Sequence, residues 1–288
     1  MIILDGSMGN ELLKRTNKPS SGLWSAQFLI DSPNLVKEVH QAYVDVGAQV
    51  ITTNTYSTIP SYLSKENKTY LMNDMIKKAG IIARQVAEEN DQEILVAGSL
   101  PPLEESYRPD LVPNERESLP IYEGLIEGLN PYVDIFLCET VSSVAETSNI
   151  LKAIANKAEQ DKKIWLSWTL SDDKSGKLRS RESVEEAFQT AEIYNPDAYL
   201  FNCSDPEAIS KGIKILSKLT DKKIGAYPNI FTVPSNWTLD NNVQTKPRDL
   251  SIQQFIAYKN LWLDFGASII GGCCGLGPDY IAAISENS

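Results

Sequence analysis

Eight short β-rich apolar runs, at 2–4, 50–53, 94–97, 133–137, 164–169, 198–201, 224–227 and 268–270, are each followed by a stretch with helical spacing. A chain that alternates in this way builds a parallel sheet, because each strand must pass over a helix before it can lie beside the previous one. Helix starts are marked by Ser32-Pro33 ahead of Leu35, Val36, Val39 and Tyr43, and by Asp205-Pro206-Glu207 ahead of Ile209, Ile213 and Leu216. Gly47 and Gly266 mark stops. Eight such units in 288 residues predict one α/β domain over residues 1–288, a closed (β/α)8 TIM barrel rather than an open doubly wound sheet.

The connections are asymmetric. Those entering a strand are short (47–49, 130–132, 195–197, 266–267), whereas 54–67, 99–117 and 228–249, which leave strands, are long. Barrel enzymes build their sites from the loops at the C-terminal ends of strands, so one working face is expected there. The residues just past the strands are Asp5, Thr53 with Asn54, Ser99, Glu139, Thr169, Asn202 with Cys203, Asn229, and Cys273 with Cys274.

The four cysteines, at 138, 203, 273 and 274, are too few and too unevenly spaced for a disulfide framework, and a chain this long does not need one. They read as thiols of a reducing cytosol. The N-terminus lacks the basic start and apolar stretch of a signal peptide, and no apolar run approaches the ~20 residues of a membrane span, so a soluble cytoplasmic protein is expected. With 27 Lys+Arg against 38 Asp+Glu, the net charge is −11, and no basic cluster offsets it; neither nucleic acid nor an anionic membrane is the expected partner. Small molecules are.

Three cysteines from two strand ends match a catalytic zinc site with three protein ligands and one open position. Gly271-Gly272 and Gly275 would let the backbone turn so that both sulfurs of the Cys273-Cys274 pair address one metal. Cysteine is also a common core residue; Cys138 reads as packing, and Cys203 taken alone fits either role. A vicinal Cys273-Cys274 disulfide would be strained. His40, the single histidine, lies among Val36, Val39 and Tyr43 and reads as a packed helix residue.

Three thiolates around Zn²⁺ leave a net charge of −1, which suits a sulfur-bearing fourth ligand better than activation of water. The expected substrate is a thiol, whose sulfur would attack an activated carbon. If that thiol is an amino acid, Asp5 and Glu139 can take its ammonium and a glycine-rich turn its carboxylate. The bland alternatives are a cap at Asp5 and N-terminal helix charge at Glu139.

The chain resembles the homocysteine S-methyltransferases, a family that includes S-methylmethionine-dependent and betaine-dependent enzymes and a module of methionine synthase. The resemblance runs along nearly the whole chain through Leu4-Asp5-Gly6-Ser7-Met8-Gly9, Ile51-Thr52-Thr53-Asn54-Thr55-Tyr56, Cys138-Glu139-Thr140, Asn202-Cys203, Tyr227-Pro228-Asn229 and Gly271-Gly272-Cys273-Cys274. It implies zinc held by Cys203, Cys273 and Cys274, homocysteine sulfur as the fourth ligand, Asp5 and Glu139 on the amino group, Gly6 close to the substrate, and Thr53, Asn54 and Tyr227 in the pocket wall.

A chain filled by one barrel leaves no room for folate and cobalamin modules, which favours a small sulfonium donor, S-methylmethionine or S-adenosylmethionine. Trp24 is either a cation–π surface for it or a hydrophobic anchor. Alternatives are betaine as donor, another thiol or selenol as acceptor, a zinc hydrolase, and a non-catalytic redox protein using Cys273 and Cys274. Two places depart from the family pattern. Ile230-Phe231 stands where Ser-Gly is common, and Gly275-Leu276-Gly277 stands where an Arg commonly follows Cys274.

Overall fold

The computed structural model describes residues 1–16, 21–234, 236–238, 243 and 245–286; residues 235, 239–242 and 244 of the 228–249 connection therefore lie outside the description. Eight parallel strands form the sheet: β1 (Ile2–Ile3), β2 (Val50–Thr52), β3 (Leu95–Leu100), β4 (Ile135–Val141), β5 (Lys163–Trp168), β6 (Ala198–Asn202), β7 (Lys223–Tyr227) and β8 (Ala267–Ile270). Each pairs with its neighbour in sequence from β2 to β8, and β8 pairs with β1. A parallel bridge between Leu4 and Val50, with the Asp5 amide donating to the Val50 carbonyl at 3.0 Å, joins β1 to β2 and closes the ring.

The expected starts and stops are in place. Pro33 opens the helix Pro33–Asp45, and the Asp205 side chain caps the helix Pro206–Leu216 by accepting from the Glu207 amide. Gly47 and Gly266 adopt φ of +100° and +97°, a left-handed turn that favours glycine, before the chain enters β2 and β8. A short helix, α1 (Met8–Lys14), follows β1 directly.

Side chains alternate between two apolar layers, as the period of two along a strand requires. Leu4, Val50, Ile135, Leu137, Trp165, Leu200 and Ile269 fill the barrel interior, while Phe136, Cys138, Leu166, Tyr199 and Phe201 pack outward against the helices. Tyr227 belongs to the interior layer, and Cys273 packs against that layer. No described helix is long and apolar enough to cross a membrane.

β4 is longer than the run 133–137 suggests. It carries Cys138, Glu139 and Thr140 within it, across a register irregularity between Cys138 and Val141, with Thr140 at φ +60°. Glu139 is therefore a strand residue, and its reading as helix N-terminal charge is corrected: the next helix begins at Val144, capped by Ser143.

Candidate active site

The long connections enclose a cavity of about 310 Å³ at the C-terminal face of the barrel. The expected ligand and pocket residues Asp5, Gly6, Trp24, Thr53, Asn54, Glu139, Cys203, Tyr227, Cys273 and Cys274 reach its wall, whereas Ser99, Thr169, Asn202 and Asn229, also just past the strands, are not among the lining residues.

The sulfurs come together because β7 lies between β6 and β8. The Tyr227 carbonyl accepts from the Cys203 amide at 3.1 Å, the Pro228 carbonyl from the Cys273 amide at 2.9 Å, and the Ile230 amide donates to the Cys274 carbonyl at 3.1 Å. Cys203 itself turns out of its strand at φ +47°. Gly271 and Gly272 permit close approach, since a Cβ on Gly271 would strike Leu4 and one on Gly272 would strike Leu276. The three Sγ atoms lie within 4.8 Å of one another.

In this structure Cys203 and Cys273 are joined as a disulfide, with Cys274 a free thiol 3.7 Å from the Cys203 sulfur. The vicinal Cys273–Cys274 pairing considered from sequence is thus replaced by a pairing across strand ends. Once the pair is reduced, the cluster offers three thiols and, among the described residues, no His, Asp or Glu ligand, a set that fits a borderline-soft ion such as zinc. Asn202 is next to it: its Oδ1 accepts from the Thr140 amide and the Ser167 hydroxyl, each at 2.8 Å, and its Nδ2 stands 4.0 Å from the Cys273 sulfur. Cys138 is fully buried in the outer layer and takes no part. His40 is buried in its helix, as expected.

Asp5 is not a cap. Its carboxylate accepts from the Thr52 amide at 2.7 Å and the Thr52 hydroxyl at 3.0 Å, tying β1 to β2 beneath the cavity. Glu139 follows Cys138 by one residue and so faces the opposite way, into the cavity, where it accepts from the Ser99 hydroxyl. Both acids are nearly inaccessible, and burial raises each to about 7; their mutual repulsion adds to the shift at Asp5. Burial likewise pushes the Cys274 thiol up to about 11. Two buried carboxylates with no cationic side chain among the described residues of the cavity wall are the complement of a cationic ligand.

Thr53 and Asn54 reach the wall but use their polar groups to hold loops. The Thr53 hydroxyl accepts from the Ser99 amide and pairs with Thr55, and the Asn54 amide donates to the Ser25 carbonyl. Among the described residues the buried Tyr227 hydroxyl has no hydrogen-bond partner. Trp24 has a left-handed backbone (φ +49°), and its indole packs where a side chain on Gly9 would stand.

Sequence reasoning missed the roof. Tyr107, Val233 and Trp237 pack on the three site cysteines, Tyr107 meets Trp237 edge-on at 5.9 Å between ring centroids, and the Arg179 guanidinium lies 4.8 Å from the Tyr107 ring. Arg248 holds this roof down through Asn229 Oδ1 at 3.0 Å and Asp205 at 3.2 Å. The signal was the length of 99–117 and 228–249, which marks a working face without naming contacts. The two departures from the family pattern prove to be neighbours: Ile230 occupies the space beside Gly275, and Phe231 lines the cavity.

A barrel with convergent thiols and paired acids at its C-terminal mouth defines a thiol-handling (β/α)8 enzyme. Residues 2–288 match the family model described as homocysteine S-methyltransferase, and the chain belongs to that family, an S-methyltransferase family. It is 27% identical to Homocysteine S-methyltransferase 1 of Arabidopsis thaliana, over 99% of this chain and 92% of that protein. It superposes with a TM-score of 0.84 on crystal structures of the homocysteine methyltransferase MmuM from Escherichia coli in a metallated and in an oxidized form, each at 26% identity, covering 100% of this chain and 96% of that one.

Proposed function

We propose that this chain transfers a methyl group from a sulfonium donor, S-methylmethionine or S-adenosylmethionine, to the sulfur of homocysteine, giving methionine. The observation that carries the reading is the convergence of three cysteine sulfurs and two buried carboxylates on one cavity. Cys203, Cys273 and Cys274, with the disulfide reduced, would hold zinc. Bound zinc would favour the thiolate form of a substrate thiol, whose free pKa is near 8.5.

Asp5 and Glu139 take the substrate ammonium, which supplies the positive charge that their burial lacks. That contact fixes the carbon chain and directs its sulfur toward the cysteine turn. The substrate thiol gives its proton to solvent, its sulfur forms a bond to the methyl carbon, and the carbon–sulfonium bond breaks with its electron pair staying on the donor, which leaves as a neutral thioether. Trp24, Tyr107 and Phe231 line the cavity, and Tyr107 packs on the cysteine cluster; these aromatic faces would exclude water and suit a methylated cation. The residues' work is alignment of sulfur, methyl carbon and leaving group.

Methionine formation from homocysteine, tested with S-methylmethionine, S-adenosylmethionine and betaine side by side on reduced, zinc-loaded protein, tests the reading. Turnover with a sulfonium donor is expected. No methionine from any of the three rejects it.

A further inference from the structure

The cavity wall carries two carboxylates and, among the described residues, no Lys, Arg or His. An amino-acid ligand brings a carboxylate as well as an ammonium. Entering beside Asp5 and Glu139, that carboxylate must be met by neutral donors, because an unpaired buried charge is costly. Several neutral donors are already engaged: the Thr52 hydroxyl donates to Asp5, the Asn54 amide to the Ser25 carbonyl, and Tyr56 and Ser106 bond to each other.

Asn10, on α1, differs from these. Its Oδ1 accepts twice, from the backbone amide of Gly275 at 3.1 Å and from the Ser7 hydroxyl at 2.6 Å. A backbone N–H can only donate, so the oxygen is the atom turned toward Gly275 and the NH2 group faces elsewhere. Asn10 lines the cavity, and among the described residues its Nδ2 has no hydrogen-bond partner.

We propose that Asn10 is a specificity-determining residue of this site, its Nδ2 donating to the carboxylate of the α-amino-acid thiol whose ammonium Asp5 and Glu139 hold. The inference rests on the amino-acid-thiol reading above and adds a side-chain donor, beside the backbone N–H groups of the glycine-rich turn, for the other end of the zwitterion. It makes the cavity selective for an amino acid over the corresponding simple amine. The same side chain braces the residue after Cys274, so one amide links recognition of the carboxylate to the turn that carries the sulfurs.

Asn10→Asp separates the two roles. Aspartate keeps an oxygen for the Gly275 amide and the Ser7 hydroxyl but replaces the NH2 with a second oxygen that repels a carboxylate. Calorimetric binding to reduced, zinc-loaded protein is measured for homocysteine and for 3-aminopropane-1-thiol, which has the same thiol and amine without the carboxylate. Wild type is expected to favour homocysteine, and Asn10→Asp to weaken it about tenfold or more while leaving the amine within about twofold. Asn10→Ser, which removes the NH2 without adding charge, is expected to weaken homocysteine by a smaller factor. Equal weakening of both thiols by Asn10→Asp, or of neither, overturns the role of Asn10. Equal wild-type affinity for the two thiols overturns it as well, whereas wild type that binds neither thiol fails the functional reading itself.

Discussion

The sulfurs of Cys203 and Cys274 are 3.7 Å apart although the residues are separated by 71 positions in the chain. The backbone of 227–230 brings them together, with Tyr227 and Pro228 accepting the amides of Cys203 and Cys273 and Ile230 donating to the Cys274 carbonyl. The Tyr227-Pro228-Asn229 stretch is thus a template for the sulfur cluster.

The template makes Gly275 sensitive. At φ +86°, with Ile230 where a Cβ would go, Gly275→Ala incurs both backbone strain and a steric clash. A loss of about 1–2 kcal/mol is expected from the backbone alone, with more from the clash. Adding Ile230→Ala should recover the steric part only. Denaturant unfolding of the single and double variants gives the coupling.

Tyr227→Phe removes a buried hydroxyl that, among the described residues, makes no hydrogen bond within 3.5 Å. Stability is expected to stay within about 1 kcal/mol of wild type or to rise, because an unsatisfied polar group is lost. If the hydroxyl bonds to substrate, kcat/KM falls at the same time. Thermal unfolding and steady-state kinetics on one preparation check both outcomes.

The raised carboxyls set a pH dependence. Asp5 and Glu139 are held at about 7, so they bind protons more tightly in the folded chain than in the unfolded chain, where they titrate near 4. Their contribution to the stability of the ligand-free protein is full below about pH 4 and is lost as pH rises to about 7. Asp5→Asn should flatten that part of the stability profile between pH 5 and 7. Binding of an ammonium follows the opposite trend: affinity for homocysteine should rise as pH is raised from 6 to 8, and calorimetry across that range checks the sign.

Glu139→Gln keeps an oxygen for the Ser99 hydroxyl but loses the charge. A residue that holds the ammonium in both ground and transition states should raise KM about tenfold or more and change kcat little. A fall in kcat at unchanged KM would place Glu139 in the chemical step instead.

Much of this was legible because periodicity survives in the sequence. The eight apolar runs match eight strands, and the alternation along β4 explains why Cys138 packs outward while Glu139 faces the cavity. What the sequence pattern hides is contact between distant loops. Asn10 sits on a short helix without periodic signal, and Tyr107 and Trp237 lie in long connections whose partners depend on closure of the barrel. Ile230 and Gly275 are each unremarkable as sequence positions, and only the approach of β7 to β8 makes them one feature.

Zinc stoichiometry of reduced protein purified without chelator tests the central claim most directly, with wild type set beside Cys203→Ser and Cys274→Ser. About one zinc per chain is expected in wild type, with strong loss in both variants. Full zinc retained by both variants would contradict the assignment of these sulfurs as the metal site.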